Sequence, residues 1–578
     1  MKQAYTPHRV RHIENLREML ESSAALYGEN IAFSQNEGGN WRSYRFAQYL
    51  RDVRSLVLAL DDEAKNRYGK PLSGCKIVVS GENCYAWVVA YVTAMTAGAT
   101  IVPLDKEMAA GDVQNILDMT APVAILHSDT LTAKFDGMQM RTDAVRIPFS
   151  ALGDWLSRGA ALLDAGQTAP LDAPIDEDAV AAIIFTSGTT GASKGVMLSQ
   201  RNLYSNVRNA LMMVYEDEHD VLLSVLPLHH VYECTIGFLC SVCSGAQVAF
   251  SSGLRYLMKE MKTVRPTAIL CVPLLLETVY QKVWSNVRKK GMEKKVRAAI
   301  ALTEPIRPYA VRQAARKKIF AEIHETFGGR IRLMVSGGAG IDPAILKGLR
   351  DLGFHAIQGY GLTECSPLAA VNHSDYFEDS AAGLALPEGQ LRIVDVAEDG
   401  TGEICVRSEG VMLGYYNMPE ATAAVKHGGW FYTGDLGYLD KRGFLHITGR
   451  KKNVIVTYNG KNIFPEELEA HLCRCDAVAE AVVVGIMNEK KKDYDIVALL
   501  RPDMDRLGEL CGGEVSEEQI ELALSSALES VNATVQSYKH MCMYIHYREE
   551  FPKNSSKKIK RAGLIEKILP EYEAKLKK

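Results

Sequence analysis

Residues 183 to 195 pass from Ile183-Ile184-Phe185-Thr186, the end of an apolar strand, into Ser187-Gly188-Thr189-Thr190-Gly191-Ala192-Ser193-Lys194-Gly195. Such a run has the groups needed to hold phosphate. Gly188, Gly191 and Gly195 let backbone amides approach an anion, Ser187, Thr189 and Thr190 add hydroxyl donors, and Lys194 adds charge. Ser199 follows as the N-cap of a helix. Glycine and hydroxyl runs are more often plain flexible loops. The order also departs from a P-loop: Lys194 precedes Gly195 and no Ser or Thr follows at once, which disfavours a P-loop NTPase.

Other residues suited to chemistry lie downstream. His229-His230 end an apolar run, Val221 to Leu228, and precede Val231-Tyr232. Gly337-Gly338-Ala339 and Gly359-Tyr360-Gly361-Leu362-Thr363-Glu364 place small residues after strands, where α/β sheets bind ligands. Tyr360 offers a flat ring for a flat base, and Glu364 a hard carboxylate for a hard cation. Asp435, after Gly434, is an ionised acceptor with two oxygens. A basic stretch, Lys553 to Arg561, closes the series. Taken singly, a histidine at a strand end is usually a satisfied core or surface residue, and a basic tail is usually solvated.

The run T-S-G-T-T-G-A-S-K-G resembles the signature of the adenylate-forming superfamily, which includes acyl-CoA synthetases, firefly luciferase and the adenylation domains of peptide synthetases. The other motifs follow in that family's order over nearly the whole chain. The resemblance implies that Thr186, Ser187, Gly188, Thr189, Thr190, Gly191 and Lys194 hold the β- and γ-phosphates of ATP. It implies that Gly338 and Ala339 line the adenine and acyl pocket, Tyr360 packs on adenine, Thr363 contacts the α-phosphate and Glu364 holds Mg²⁺. His230 would lie near the carboxylate being activated, Asp435 would bind the ribose hydroxyls, and Arg450 would support ribose or phosphate. Lys452 falls at the family's hinge, Gly460 in the segment that guides the thiol, and Lys558 at the catalytic lysine.

Three departures stand out. Asn459 replaces one of two usual glycines, a mild change because Asn tolerates left-handed geometry. Lys557 stands where a glycine is usual, so Lys557 and Lys558 both remain candidates for the lysine that reaches the site. Asn554 and Ser556 replace threonines. No aspartate lies between Pro227 and Gly237 to pair with an ammonium, so a plain carboxylic acid is favoured over an amino acid. The basic helical insert at 281–330 resembles that of long-chain fatty acyl-CoA synthetases. The implied reaction is ATP-dependent activation of a medium- or long-chain fatty acid, then thioester formation with coenzyme A. Ligation to an acyl carrier protein, or a non-catalytic acyl- or nucleotide-binding relative, remain alternatives.

The elements that must position these groups are legible in outline. A chain of 578 residues is too long for one core. A content of 47% hydrophobic and 24% charged residues with net charge -4 describes an ordinary globular protein and argues against a nucleic-acid partner. Twelve scattered cysteines, with Cys473 and Cys475 at neither zinc nor redox spacing, read as reduced thiols in a cytoplasmic protein. No secretory signal follows Met1. The apolar run Trp87 to Leu104 is broken by Thr93, Gly98 and Pro103, so it reads as a buried helix and strand, leaving at most peripheral membrane contact.

Helical patterns around 13–20 and 49–60, then strand 74–80, helix 86–98 and strand 101–104, predict parallel α/β layers. Residues 130–180 lack pattern and read as an excursion and linker. Short alternating strands from Gly402 predict a β-rich region. Strands 479–484 and 496–500 with helix 516–530 predict a compact α+β unit. The expected fold is therefore α/β: a large domain, 1–449, of parallel α/β subdomains plus a β-rich subdomain, and a small mobile α+β domain, 450–578, with its hinge near Lys452.

Overall fold

The computed structural model describes residues 5–186, 193–458, 461–553 and 559–577. The chain divides into two compact units: Met1–Leu391, Val406–Phe431 and Lys441–Leu445 in the first, and Arg392–Cys405, Tyr432–Asp440 and His446–Lys578 in the second.

The first unit holds two large sheets. In one, six parallel strands run in the order Ala356–Gly361, Leu333–Ser336, Ala268–Cys271, Val221–Ser224, Gln247–Phe250, Ile31–Glu37, with antiparallel strands added at both edges. In the other, Val180–Thr186, Thr100–Leu104, Lys76–Ser80, Ala124–His127 and Val145–Pro148 are parallel, and Lys194–Ser199 and Gly414–Tyr415 extend the sheet antiparallel. Thr100–Leu104, Ala124–His127 and Leu333–Ser336 are buried along their whole length, as strands covered on both faces must be.

The apolar run from Trp87 is the helix Tyr85–Thr96, buried at every residue but Ala86, and it leads into strand Thr100–Leu104. Among the described residues no helix is long and apolar enough to cross a membrane. All twelve cysteines are free thiols.

The stretch 130–180 is not a plain linker. Val145–Pro148 is the edge strand of the seven-stranded sheet, and helix Leu152–Asp164 packs on helix Phe46–Tyr68. Gly159 makes that packing possible: a Cβ there would sit 1.7 Å from the carbonyl oxygen of Ser55. Backbone contact of this kind needs glycine, and Leu152, Trp155, Leu156 and Leu163 recur at helical spacing on the packed face.

Short strands Gln390–Val394, Gly402–Arg407, Lys426–His427, Trp430–Leu439 and Leu445–Arg450 form a five-stranded sheet. In the second unit, Val478–Asn488 and Asp493–Pro502 form an antiparallel pair that Met543–His546 joins parallel. Helix Pro465–Leu472 and helix Glu517–Asn532, which Ser516 caps through a reciprocal pair with Gln519, pack on it. Leu468, Leu472, Ala498, Leu500 and Leu524 make the dry centre of this layer.

Candidate active site

The loop read as phosphate-binding is carried by an antiparallel pair. Strand Val180–Thr186 leads in, strand Lys194–Ser199 leads out, and Thr186 faces Lys194 across the ladder. Ser187, Gly188, Thr189, Thr190 and Gly191 lie outside the described residues. Ser199 caps helix Gln200–Met213 in a reciprocal box with Asn202: its Oγ accepts from the Asn202 amide (3.2 Å), and its own amide donates to Asn202 Oδ1 (2.9 Å).

That helix gathers segments distant in the chain. Asn202 Nδ2 donates to the Glu409 carbonyl (2.7 Å), and Asn206 Nδ2 to the carbonyls of Cys365 (2.8 Å) and Leu368 (3.0 Å). The chain at 412–416 is stitched between the two motifs. Met412 N–H donates to the Glu364 carbonyl (2.8 Å), Leu413 N–H to Met197 (2.9 Å) and Tyr416 N–H to Gly195 (2.7 Å). Tyr415 is thereby placed between the lysine and the carboxylate. Its hydroxyl donates to Glu364 Oε1 (2.8 Å), and Lys194 Nζ lies 4.8 Å from its ring centre. Burial and the adjoining carboxylate push the Tyr415 phenol well above its usual range, so it stays protonated and donating. Thr363 and Glu364 sit on a short 3-10 turn after strand Ala356–Gly361, on which Tyr360 is buried.

The two histidines are not at a strand end. The strand stops at Ser224, and the chain turns through Pro227 before a π-helix, Tyr232–Leu239. π-Helical turns recur at functional sites. Asn83 clamps this turn: Nδ2 donates to the Leu226 carbonyl (2.7 Å) and Ser224 Oγ (3.0 Å), while Oδ1 accepts from Leu228 N–H (3.0 Å). The His229 and His230 rings lie 4.2 Å apart. Burial and His230 hold His229 down to about 3, against Asp105 at 3.7 Å, so His229 is neutral at physiological pH. Tyr232 donates to the Val335 carbonyl (3.1 Å), which ties the histidine segment to strand Leu333–Ser336. A Cβ at Gly337 would lie 2.7 Å from the Tyr232 ring, so this approach requires glycine. Gly338, with φ of 86°, and Ala339 follow as an exposed turn.

Next to Tyr232, Glu233 is buried. Burial pushes its carboxyl up to about 8 from an ordinary 4.5, against the pull of the Ser224 hydroxyl. The folded chain therefore keeps a proton that the unfolded chain releases. The stabilisation from this group is complete below pH 4.5 and lost as pH rises through 8. Between these limits wild type is expected to lose roughly 1 kcal/mol per pH unit relative to Glu233→Gln. Unfolding temperatures of the two proteins across that range check this, and parallel curves would count against a protonated Glu233.

In the second unit, Asp435 is buried and paired with Arg450 (Nε to Oδ1, 2.9 Å). Its neighbour Gly434 donates to Glu403 Oε1 (3.1 Å), and Lys451 Nζ pairs with Glu403 Oε2 (2.6 Å). Lys452 lies in the short 3-10 turn Lys451–Asn453, which Asn453 Nδ2 anchors to Glu466 Oε1 (2.6 Å). Gly460 and Lys558 lie outside the described residues. The residues bracketing 554–558 are held: Lys553 bridges Ile559 and pairs with Glu480 (2.5 Å), and Arg561 forks onto Glu469 (2.6 Å to each oxygen).

The structure thus gathers Thr186, Lys194, Thr363 and Glu364 through segment 412–416 and helix Gln200–Met213. It ties the His230 segment to the strand that precedes Gly338. Tyr415 and Asn83 were missed as site residues in the sequence. A doubled tyrosine after Gly414 was visible, but nothing local said that it would pair with the strand bearing Lys194.

Glu364 suits a hard cation. Among the described residues one of its oxygens is engaged by a phenol donor, in a group with room for about four.

Comparison with known proteins agrees with this architecture. The family model described as AMP-binding enzyme matches residues 20–416. A long-chain-fatty-acid–CoA ligase of Mycobacterium bovis, FadD15, is 27% identical, with 98% of each chain covered. Long-chain-fatty-acid–CoA ligase 1 of Homo sapiens is 32% identical over 58% of this chain and 49% of its own. Among solved structures, ATP-bound MatB from Rhodopseudomonas palustris superposes with a TM-score of 0.73 at 22% identity, covering 96% of this chain and all (100%) of that one. The o-succinylbenzoate CoA synthetase MenE of Bacillus subtilis, in complex with its acyl-adenylate intermediate, superposes at 0.71 and 22% identity over 94% and 97%. With the family model spanning well over half of the sequence, this chain belongs to the AMP-binding enzyme family of adenylate-forming proteins.

Proposed function

We propose that this protein is an AMP-forming acid–thiol ligase that activates a medium- or long-chain fatty acid and passes the acyl group to coenzyme A. The observation that carries the reading is the Lys194–Tyr415–Glu364 grouping beside the phosphate loop: a cation and a carboxylate held together where an ATP polyphosphate and its counter-ion need them. Family membership and the named relatives support the acid and the thiol.

In the first half-reaction a carboxylate oxygen attacks the α-phosphorus of ATP. An O–P bond forms, the bond to the bridging oxygen breaks, and pyrophosphate leaves. No protein nucleophile is required. Lys194 and the hydroxyls of the loop bind the β- and γ-phosphates, Thr363 orients the α-phosphate, and Lys558 meets charge as it develops. Glu364 would hold Mg²⁺, which neutralises polyphosphate charge when bound. Gly338, Ala339 and Tyr360 line the adenine and acyl pocket, His230 lies toward the reacting carboxylate, and Asp435 with Arg450 receives the ribose. In the second half-reaction the thiol sulfur attacks the acyl carbon, AMP leaves, and the thiol proton passes to solvent.

Lys452 is the hinge of this proposal, and the Gly460 segment guides the thiol. Lys452→Pro fixes φ at one residue. It is expected to leave acid-dependent pyrophosphate release within about twofold while slowing acyl transfer by about a hundredfold or more. Stopped-flow assay of each half-reaction separates the two, and an equal loss in both would undo the hinge.

Pyrophosphate release from ATP, measured over carboxylic acids from acetate to palmitate with and without coenzyme A, tests the whole reading. Release that turns over fully only with coenzyme A supports the ligase and ranks the acids. Release that stalls after one turnover with coenzyme A present favours an acyl carrier protein as acceptor. No release with any acid refutes the proposal.

A further inference from the structure

Segment 412–416, which carries Tyr415, is also held by the chain that follows it. Helix Pro419–Val425 packs on strand Gly414–Tyr415, so closely that a Cβ at Gly414 would lie 2.7 Å from Thr422 Cγ2. Thr422 Oγ1 accepts the Tyr415 N–H (2.8 Å) and donates to the Met418 carbonyl (2.9 Å). Strand Lys426–His427 comes next, and Lys426 reaches back: its Nζ donates to the Met412 carbonyl (2.6 Å) and lies 3.5 Å from that of Leu413. Met412 is thus tied at both of its backbone polar groups, its N–H to the Glu364 carbonyl and its C=O to Lys426. Leu413 gives its N–H to Met197, on the strand that begins at Lys194. One ammonium therefore closes the frame in which Tyr415 meets Glu364.

Two peptide carbonyls do not call for a lysine. Burial holds the Lys426 ammonium below its ordinary range, and among the described residues no carboxylate opposes that shift. Lys451 and Lys491, by contrast, sit on the carboxylates of Glu403 (2.6 Å) and Asp495 (2.7 Å), which raise them. A neutral donor would satisfy the Met412 and Leu413 carbonyls with a smaller loss of hydration. A half-buried cation with carbonyl partners is instead suited to a place where an anion arrives. Met412 links it to the backbone of Glu364, the residue proposed to hold Mg²⁺ against the polyphosphate.

We propose that Lys426 and Thr422 are positioning residues of the nucleotide site: together they fix segment 412–416 so that Tyr415 keeps the Glu364 carboxylate oriented toward the divalent cation of MgATP, and the Lys426 charge strengthens the hold on the polyphosphate. This role rests on the nucleotide reading of Glu364 and goes beyond it by assigning the support that makes that carboxylate effective.

Titration calorimetry of the full-length protein with MgATP, without acid or thiol, tests this. Lys426→Met keeps the stem, removes the ammonium, and is expected to weaken MgATP binding about tenfold. Lys426→Arg restores a charged donor and should bind within about threefold of wild type. Thr422→Val removes the acceptor of the Tyr415 N–H without altering charge and should weaken binding about threefold. Steady-state kinetics with each substrate varied in turn supplies the second readout. In Lys426→Met the KM for ATP and the half-saturating Mg²⁺ concentration should rise, while the KM for the acid stays within about twofold. A Lys426→Met protein that binds MgATP like wild type overturns the proposal. So does an arginine variant no better than the methionine one, or an equal rise in KM for both substrates. If Lys426→Met does not fold, Thr422→Val carries the test, and unaltered MgATP binding there overturns the role. A wild type that binds MgATP but releases no pyrophosphate with any acid would retire the ligase reading, and the calorimetric comparison would still decide the positioning role.

Discussion

Glu364→Gln is expected to slow pyrophosphate release by about a hundred- to a thousandfold, about 3 to 4 kcal/mol of transition-state stabilisation. Glutamine keeps the shape of the side chain, and its carbonyl oxygen can still accept the Tyr415 hydroxyl bond now made at 2.8 Å. The main-chain tie from Met412 N–H to the Glu364 carbonyl is untouched. What the substitution removes is one negative charge, and with it the proposed hold on a divalent cation against polyphosphate. The Mg²⁺ concentration needed for half-maximal rate should therefore rise in the variant. Tyr415→Phe is the companion measurement. It deletes one hydrogen bond, leaves the charge, and is expected to cost only about five- to tenfold. If the two variants lose equal activity, Glu364 acts by holding Tyr415 and not through its charge. If Glu364→Gln turns over within about threefold of wild type, the polyphosphate assignment fails.

Lys558→Ala should separate the two half-reactions. Adenylation is expected to fall about a thousandfold, because a fixed cation at the point where charge builds is worth several kcal/mol. Thioester formation from supplied acyl-adenylate should remain within a few-fold of wild type, since the mixed anhydride is already activated. The neighbouring anchors do not involve this side chain: Lys553 is held by Glu480 and Arg561 by Glu469, so the ends of the segment stay in place. Lys557→Ala sets the register. If it, and not Lys558→Ala, removes adenylation, the working lysine stands one position earlier. Loss of both half-reactions by Lys558→Ala would show a general collapse of the site.

Much of the local structure was legible. Ser199 caps a helix in the structure as it was read from the sequence, because capping is settled within four residues. The strands at 76–80, 100–104 and 333–336 and the buried helix at 85–96 follow from apolar run length and composition. The histidine pair was less legible. The apolar run from Val221 continues past Ser224 to Leu228, but Asn83, more than a hundred residues earlier, satisfies that backbone and turns it out of the sheet. Residues 145–164 were misread on their Ala, Asp and Gly content, although Leu152, Trp155, Leu156 and Leu163 recur at helical spacing.

By itself, then, the sequence determined the chemical inventory and its order: hydroxyls, glycines and Lys194 after a strand, a carboxylate at Glu364, an acceptor at Asp435, and apolar patterns sufficient for layered α/β sheets. These are short-range properties, set by residue type and by spacing within a turn or two. Only the tertiary structure decided that Tyr415 stands between Lys194 and Glu364 and that Tyr232 reaches Val335 over Gly337. Each of these depends on which strands and helices become neighbours. That choice is made by the burial of apolar surface across the whole chain, and no local spacing encodes it.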